Sequence, residues 1–224
     1  MKNIPRIYID EKLCPGKHIK LGNSVTHYLK NVMRTDKFLA FNGGKEFNVE
    51  SSIIGDNTGR PDPSNNLTLA FAPVRQARLE EMLSMATQLG VAKLQPVITE
   101  RVNEHHIKWD RIRKIIIEAA EQSGRNSIPE LMEPKTFDKF IKESKNLVFA
   151  DERFAHNTPS KHELAGVKPE YGNIVLIGPE GGFSSVEFAA LDAAGAIGIG
   201  LSKTILRAET AAVAAITKLA NFES

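Results

Sequence analysis

The stretch that decides the fold is residues 174–183, which reads IVLIGPEGGF. Its four leading apolar residues predict a buried strand, and the glycines and proline that follow predict a tight turn at the end of that strand. Ser184 then precedes a helical pattern that runs to Ala194, and a serine in this position is a favoured N-cap. A strand, a glycine-rich turn and a helix in this order are typical of an open α/β sheet.

The same alternation continues on both sides of this stretch. Further strands are predicted at 67–72, 94–99, 147–150 and 196–201. Further helices are predicted at 79–89, 109–122, 137–143 and 209–221. Strands that alternate with helices favour an open, mostly parallel sheet with helices on both faces, so we predict one α/β domain over residues 67–224.

Residues 1–66 show a different, β-rich pattern. A strand is predicted at 4–9, a helix at 25–33 with Ser24 as its cap, and a hairpin whose strands, 38–41 and 47–54, flank Asn42-Gly43-Gly44. Residues 55–66 are rich in turn formers and almost free of apolar side chains, which is typical of a linker. We therefore predict a small N-terminal domain that ends at residue 66.

The composition excludes several classes of protein. With 224 residues, 42% hydrophobic and 25% charged, the chain is predicted to fold. The lone Cys14 excludes an internal disulfide, the six histidines show no zinc-ligand pattern, and no apolar run is long enough to span a membrane. The expectation is a cytoplasmic protein without a targeting segment or a metal.

The net charge of +2 does not by itself indicate a nucleic-acid-binding protein. Residues 1–66 contain ten lysines and arginines against seven acidic residues, so positive charge is concentrated in the N-terminal part. Two interpretations stay open, an ordinary solvated surface or a face that contacts phosphates. The second would use five cations of this region: Lys2, Arg6, Lys30, Arg34 and Lys37.

The glycine-rich stretch 178–183 is a candidate ligand-binding loop. Ligands of open α/β sheets bind beyond the carboxyl ends of the strands, and glycines let backbone amides approach a ligand closely. The alternative is a structural turn capped by Ser184. The spacing matches neither the dinucleotide-binding fingerprint nor a phosphate-binding P-loop, so nucleotide-dependent chemistry is disfavoured.

A second candidate loop, residues 200–210, contains Arg207 and Glu209 at the start of a helix. A carboxylate is favoured there by the helix dipole and an arginine is not, so the position of Arg207 needs an explanation. The alternative is that Glu209 caps the helix while Arg207 is merely solvated.

Taken together, these loops resemble the RsmE family of 16S ribosomal RNA uridine N3-methyltransferases, which belong to the SPOUT class. Gly178–Phe183 and the sequence ILRAET at 205–210 carry the resemblance. Residues 96–101, 118–126 and 27–34 match further family stretches in the same order. The resemblance implies a SPOUT-type α/β knot, that is a C-terminal trefoil knot, preceded by a PUA-like RNA-binding domain, and it also implies a homodimer.

The resemblance implies transfer of a methyl group from S-adenosylmethionine to uridine N3, at uridine 1498 of 16S ribosomal RNA in the small subunit. The implied cofactor-binding residues are Glu152, Ile177, Gly178, Pro179, Gly181, Gly182, Ile199, Gly200, Leu201 and Leu206. Arg207 would stabilise the ionised base, because its guanidinium is permanently charged, and Glu209 or Glu180 would accept the proton or only orient Arg207. The implied RNA contacts are Arg6, Arg34, Arg101 and Arg125. For Arg101 and Arg125, surface pairing with nearby carboxylates is the open alternative.

The chain departs from the family pattern at a few positions. Ser202 replaces a usual glycine, Ala208 a usual threonine and Gln88 a usual glutamate, and residues 75–78 lack the usual lysine-glycine. Ser202 is expected to be tolerated if its φ is negative. Two rival functions remain, a non-catalytic RNA-binding protein and a methyltransferase that acts on another RNA.

Overall fold

The computed structural model describes residues 4–102, 106–156 and 173–220. The chain forms two compact units. Unit 1 comprises Met1–Ser64 and Ile117–Ile128, and unit 2 comprises Asn65–Ile116 and Pro129–Ser224. Residues 117–128 thus pack with the N-terminal part of the chain, a long-range association that no local sequence pattern announces.

Unit 1 contains a sheet with the strand order β1-β2-β3-β4. Its strands are β1 (Arg6–Tyr8), β2 (Lys37–Asn42), β3 (Lys45–Glu50) and β4 (Ile53–Asn57). β1 pairs in parallel with β2, whereas β2, β3 and β4 form an antiparallel meander. Phe38, Phe47 and Ile54 are buried in the core of this unit.

The predicted strand 47–54 is in fact two strands, because the chain turns at Ser51 and Ser52. Both serines have positive φ, 50° and 65°, a conformation that the sequence usually signals with glycine or asparagine. The predicted helix also differs. It begins as α1 (Asn23–His27) after Gly22 rather than Ser24 and continues as a π-helix (Tyr28–Met33).

The predicted linker 55–66 is an ordered part of unit 1 up to Ser64. Its first residues belong to β4, and Asp62 accepts hydrogen bonds from the Asn126 amide N–H at 3.0 Å and from the Ser64 hydroxyl at 2.7 Å. The Asn126 side chain in turn donates to the Arg60 carbonyl at 2.9 Å. Side-chain hydrogen bonds therefore fix a polar segment that contributes little to a hydrophobic core.

Unit 2 contains a parallel sheet with the order β11-β9-β10-β5-β6-β7, and β8 also pairs with β6. Its strands are β5 (Thr68–Phe71), β6 (Lys93–Ile98), β7 (Glu130–Leu131), β8 (Lys135–Thr136), β9 (Leu147–Ala150), β10 (Ile174–Ile177) and β11 (Ile197–Ile199). Its helices include α2 (Gln76–Gln88), α4 (Phe137–Glu143), α5 (Ser185–Ala193) and α6 (Ala208–Leu219). The remaining helix, α3 (Trp109–Ser123), begins in unit 2 and ends in unit 1.

The predicted parallel α/β sheet is confirmed, and local sequence signals placed several elements closely. α4 and β9 have the predicted bounds, and Ser184 caps α5 in a full capping box with Glu187. The predicted last residue of α6, Asn221, lies outside the described residues. Within the described ranges, no helix combines the length and apolarity needed to cross a membrane.

Candidate functional site

Unit 2 contains a cavity of about 230 Å³ at the carboxyl ends of β9, β10 and β11. Parallel strands end at the same edge of a sheet, so the loops that follow them converge there. The walls are formed by the loop after β10, the loop between β11 and α6, and the residues after β9. The lining residues are Arg78, Ala150, Asp151, Glu152, Ala155, Ile177, Gly178, Pro179, Glu180, Gly182, Phe183, Ile199, Leu201, Ser202, Thr204, Ile205, Leu206, Arg207, Ala208 and Ala211.

The loop after β10 needs glycine for conformational and steric reasons. Gly182 has a φ of +68°, a left-handed conformation that residues with a side chain rarely adopt. At Gly178 a Cβ would lie 3.0 Å from the Phe183 ring. Phe183 is buried and packs edge-on against Phe149 with ring centroids 6.1 Å apart. Phe183 therefore anchors the end of the loop in the hydrophobic core. The glycines carry no side chains that would cover the loop backbone on the side of the cavity.

Three polar side chains hold this loop from outside the glycine-rich stretch. Arg101 Nη1 donates to the Gly181 carbonyl at 2.8 Å, and Arg78 Nη1 donates to Glu180 Oε1 at 2.7 Å. Glu187, which is 5% exposed, accepts the backbone N–H groups of Ser184 and Glu100. The loop conformation thus depends on residues that follow β5 and β6 as well as on its own sequence.

The loop between β11 and α6 is fixed by its own Ser202 and by Lys218 of α6. The Ser202 hydroxyl accepts the Thr204 backbone N–H at 3.1 Å, and Lys218 Nζ donates to the Gly200 carbonyl at 3.3 Å. Ser202 is not among the residues with positive φ, so the departure from glycine introduces no backbone strain there. Ser202 also lines the cavity without closing it.

The cavity brings together most of the residues that the family resemblance implies for cofactor binding. Glu152, Ile177, Gly178, Pro179, Gly182, Ile199, Leu201 and Leu206 line it. Gly181 and Gly200 are not lining residues, although they belong to the two loops. Their roles in cofactor binding stay predictions.

The three candidate catalytic residues occupy different environments. Arg207 is the N-cap of α6, lines the cavity and is exposed, and no partner of its side chain occurs among the described residues. Glu180 lines the cavity, whereas Glu209 is only 6% exposed and is not a lining residue. Glu209 Oε2 has no hydrogen-bond partner in the described part of the chain, so no capping contact through this atom is seen. The geometry favours Glu180 over Glu209 for chemistry in the cavity.

The two carboxylates that follow β9 are not equivalent. Both oxygens of Asp151 accept hydrogen bonds from Arg153, at 2.7 to 3.0 Å, and the Asp151 side chain is fully buried. Glu152 is exposed at the cavity wall. Glu152 is therefore the better acceptor for hydroxyl or amine donors of a ligand.

Arg6, an implied RNA contact, is engaged inside unit 1. Its Nε donates to Glu46 at 2.7 Å, and its Nη atoms donate to the carbonyls of Ala120, Glu121 and Arg125 and to the Asn126 side chain. The arginine thus satisfies carbonyl groups at the end of α3, which cannot be paired within the helix. This arrangement assigns Arg6 a structural role, and an additional RNA contact stays a prediction.

The remaining arginines implied as RNA contacts differ in exposure and in their partners. Arg125 is 1% exposed, which contradicts the alternative of a surface residue paired with carboxylates, and its contact with RNA stays a prediction. Arg101 is exposed and binds the glycine-rich loop rather than a carboxylate. Arg34 is exposed, has a φ of +51°, and stays available for RNA. Lys2 lies outside the described residues.

Arg78 is a charged cavity residue that the sequence interpretation missed. α2 begins at Gln76, three residues before the predicted start at 79, so Arg78 lies in its first turn, where the helix dipole disfavours a cation. The same reasoning singled out Arg207.

No group of histidine, cysteine and carboxylate side chains that could hold a metal ion occurs within 4–102, 106–156 and 173–220. Two of the six histidines of the sequence, His105 and His162, lie outside these residues, so this statement does not include them.

The chain is similar in sequence to known RNA methyltransferases. The family model for the RNA methyltransferase domain matches residues 60–220. The "Ribosomal RNA small subunit methyltransferase E" of Rickettsia conorii is 32% identical and covers 96% of this chain and 94% of its own length. The chain therefore belongs to the ribosomal RNA small subunit methyltransferase E family.

Solved structures agree with this assignment. A methyltransferase from Legionella pneumophila, solved with bound S-adenosylmethionine, has a TM-score of 0.80 and 30% identity over 97% of both chains. The ribosomal RNA small subunit methyltransferase E of Neisseria gonorrhoeae, also bound to S-adenosylmethionine, has a TM-score of 0.80 and 28% identity over 96% of both chains. The cofactor expected from the resemblance is the one that both of these proteins bind.

Proposed function

We propose that this protein transfers a methyl group from S-adenosylmethionine to N3 of a uridine in 16S ribosomal RNA, the family target being uridine 1498. The observation that carries the proposal is the placement of Arg207 at the wall of the cavity formed by the two glycine-containing loops. The trefoil knot, the PUA-like class of unit 1, the homodimer, the small subunit as substrate and a cytoplasmic location belong to the same proposal.

The cavity fits the cofactor in chemical type. Ile177, Leu201 and Leu206 provide apolar walls for an adenine ring, and Gly178 and Gly182 keep backbone groups accessible. Glu152 offers an unburied carboxylate to hydroxyl or amine donors. When bound, S-adenosylmethionine supplies an electrophilic methyl group on a sulfonium centre.

The side chains of the cavity suit the chemistry of uridine N3. This nitrogen carries a proton at neutral pH, so a base must take it, and the negative charge then spreads onto the two carbonyl oxygens of the ring. Arg207 provides a permanent positive charge with fixed donors for those oxygens. Glu180 is the carboxylate we assign as proton acceptor, because it lines the cavity and Glu209 does not.

The test is methyl transfer to small ribosomal subunits from a strain that lacks this protein. Wild-type protein is expected to produce 3-methyluridine, detected by mass spectrometry of digested RNA. Arg207→Ala should lower kcat by about 100-fold or more, as expected for loss of a charge-stabilising group, while calorimetry shows unchanged binding of S-adenosylmethionine.

Arg113→Ala is the matched control, since Arg113 is an exposed arginine outside the cavity. It should leave kcat near the wild-type value. A wild-type protein that binds the subunit but neither binds S-adenosylmethionine nor modifies uridine would instead be a non-catalytic RNA-binding protein. Modification of a different nucleotide would overturn the assignment of the target.

A further inference from the structure

We infer that Arg78 binds a backbone phosphate of the target nucleotide and that Glu180 pairs with Arg78 only until the RNA arrives. This inference rests on the proposed function, because it names the group of the RNA substrate that the cavity recognises beside the base. It gives the two arginines of the cavity separate tasks, with Arg207 on the base and Arg78 on the phosphate.

Arg78 lies where it can reach a ligand in the cavity. The residue lies in the first turn of α2, lines the cavity and donates one hydrogen bond from Nη1 to Glu180 Oε1 at 2.7 Å. A guanidinium has five N–H donors, and within the described part of the chain this is the one side-chain contact that Arg78 makes. Most of its donors are therefore available to a ligand in the cavity.

The existing ion pair between Arg78 and Glu180 is partly exposed to water. The side chains of Arg78 and Glu180 are 36% and 31% exposed, so water screens their attraction. A phosphate can instead accept two parallel hydrogen bonds from a guanidinium, an arrangement that is stronger and geometrically specific. The pair with Glu180 has one hydrogen bond, so we expect a phosphate to displace the carboxylate and to free Glu180 to face the base.

Positive charge is concentrated where α2 and α6 begin. Arg75 and Arg78 lie at the start of α2, which has no acidic residue in its first turn, although the helix dipole disfavours cations there. Arg207 stands without a partner among the described residues at the start of α6, in the same cavity. Of the acidic residues that line the cavity, Asp151 is already paired with Arg153 and Glu180 with Arg78, which leaves Glu152 as the carboxylate that offsets this charge. Guanidiniums in these positions suit an anionic ligand.

The test compares Arg78→Ala, Arg78→Lys and Glu180→Gln in binding to small ribosomal subunits that lack the modification, over a series of KCl concentrations. Arg78→Ala should weaken binding about 10-fold and reduce the slope of log Kd against log salt by about 0.7 to 0.9, the value for one lost phosphate contact. Arg78→Lys should restore part of the affinity and the slope, because lysine keeps the charge without the fork. Glu180→Gln should tighten binding several-fold, since no carboxylate then competes for Arg78.

Arg111→Ala is the matched control, because Arg111 is an exposed arginine paired with Glu80 outside the cavity. It should leave the affinity and the salt slope unchanged. Equal weakening by Arg78→Ala and Glu180→Gln, with an unchanged slope, would show that the pair merely holds the loop and would overturn the inference.

Calorimetry with S-adenosylmethionine separates this inference from the proposed function. All three variants should still bind S-adenosylmethionine, because the Arg101 bond to the Gly181 carbonyl and the two bonds of Glu187 continue to hold the loop. If the wild type bound subunits without modifying uridine, the proposed function would fail, and the salt slopes would still decide the role of Arg78.

Discussion

Glu187 accepts the backbone N–H of Glu100 at 2.8 Å, and this bond joins the first turn of α5 to the segment that follows β6. The other carboxylate oxygen of Glu187 accepts the Ser184 N–H at 2.9 Å in the capping box. One buried carboxylate thus satisfies two backbone donors beside the glycine-rich loop. The loop conformation is determined by this bond as well as by its glycines.

Glu187→Gln should distort the loop and weaken cofactor binding. An amide presents one acceptor and one donor, so one of the two backbone N–H groups loses its partner, at a cost of about 1.5 to 3 kcal/mol. We expect a lower melting temperature and about 4- to 13-fold weaker binding of S-adenosylmethionine by calorimetry, if roughly half of that cost falls on the loop. Glu81→Gln, at an exposed position of α2, should change neither quantity. Wild-type affinity in Glu187→Gln would show that this bond does not position the loop.

Arg6→Ala should destabilise unit 1 strongly. The Arg6 and Glu46 side chains are 10% and 2% exposed, and removal of the guanidinium leaves the buried Glu46 carboxylate without its counter-ion, with one hydrogen bond from the Thr58 hydroxyl, and takes a donor from several carbonyls. The expected loss is about 3 to 5 kcal/mol in the free energy of unfolding, measured by urea denaturation. Lys17→Ala, which removes an exposed ion pair with Glu11, should cost about 1 kcal/mol or less. Similar losses in the two variants would contradict the structural role of Arg6.

Asp62 should make unit 1 sensitive to acid. Burial alone would raise the pKa of Asp62, but hydrogen bonds from Ser127, Ser64 and the Asn126 amide outweigh it and hold the pKa below its ordinary value of 3.8. Because the folded-state pKa is the lower one, the ionised carboxylate stabilises the fold above the unfolded-state pKa, and this contribution is lost as the pH falls through the folded-state pKa.

The measurement is the difference in free energy of unfolding between wild type and Asp62→Asn, from about pH 7 to about pH 2.5. The wild type should lose its advantage towards the acidic end. A difference that stays constant over this range would mean that Asp62 titrates normally in the folded protein.

The RNA contact proposed for unit 1 calls for surface substitutions rather than deletion of residues 1–66. Such a deletion would remove the partners of residues 117–128, which pack in the same unit. Lys30 and Arg34 are exposed, so Lys30→Ala with Arg34→Ala should weaken subunit binding and lower its salt dependence by up to about two phosphate contacts. Lys12→Ala with Lys20→Ala removes the same amount of positive charge at other positions of unit 1. This control tests whether any loss of two positive charges is enough to weaken subunit binding. Equal effects would refute a specific face at Lys30 and Arg34.

The elements of unit 2 could be predicted from the sequence because their signals are local. The apolar run 174–177 and the Ser184 cap each depend on neighbouring residues. The turn at Ser51 and Ser52 could not be predicted in this way, since its positive φ angles occur without glycine.

The site was predictable to the extent that it lies on the two glycine-containing loops. The contribution of Arg78 was missed because the residue is about one hundred positions away from Glu180 in the chain. The burial of Arg125 was missed for a related reason, since a charged residue enters a protein interior only where distant groups satisfy it.

The crystal structure of this protein with bound S-adenosylmethionine tests the central claim most directly. The account predicts the adenine between the apolar walls near Ile177 and Leu206, and the methyl group facing the side of the cavity that carries Arg207. Cofactor bound elsewhere on the protein, or a methyl group turned away from Arg207, would contradict it.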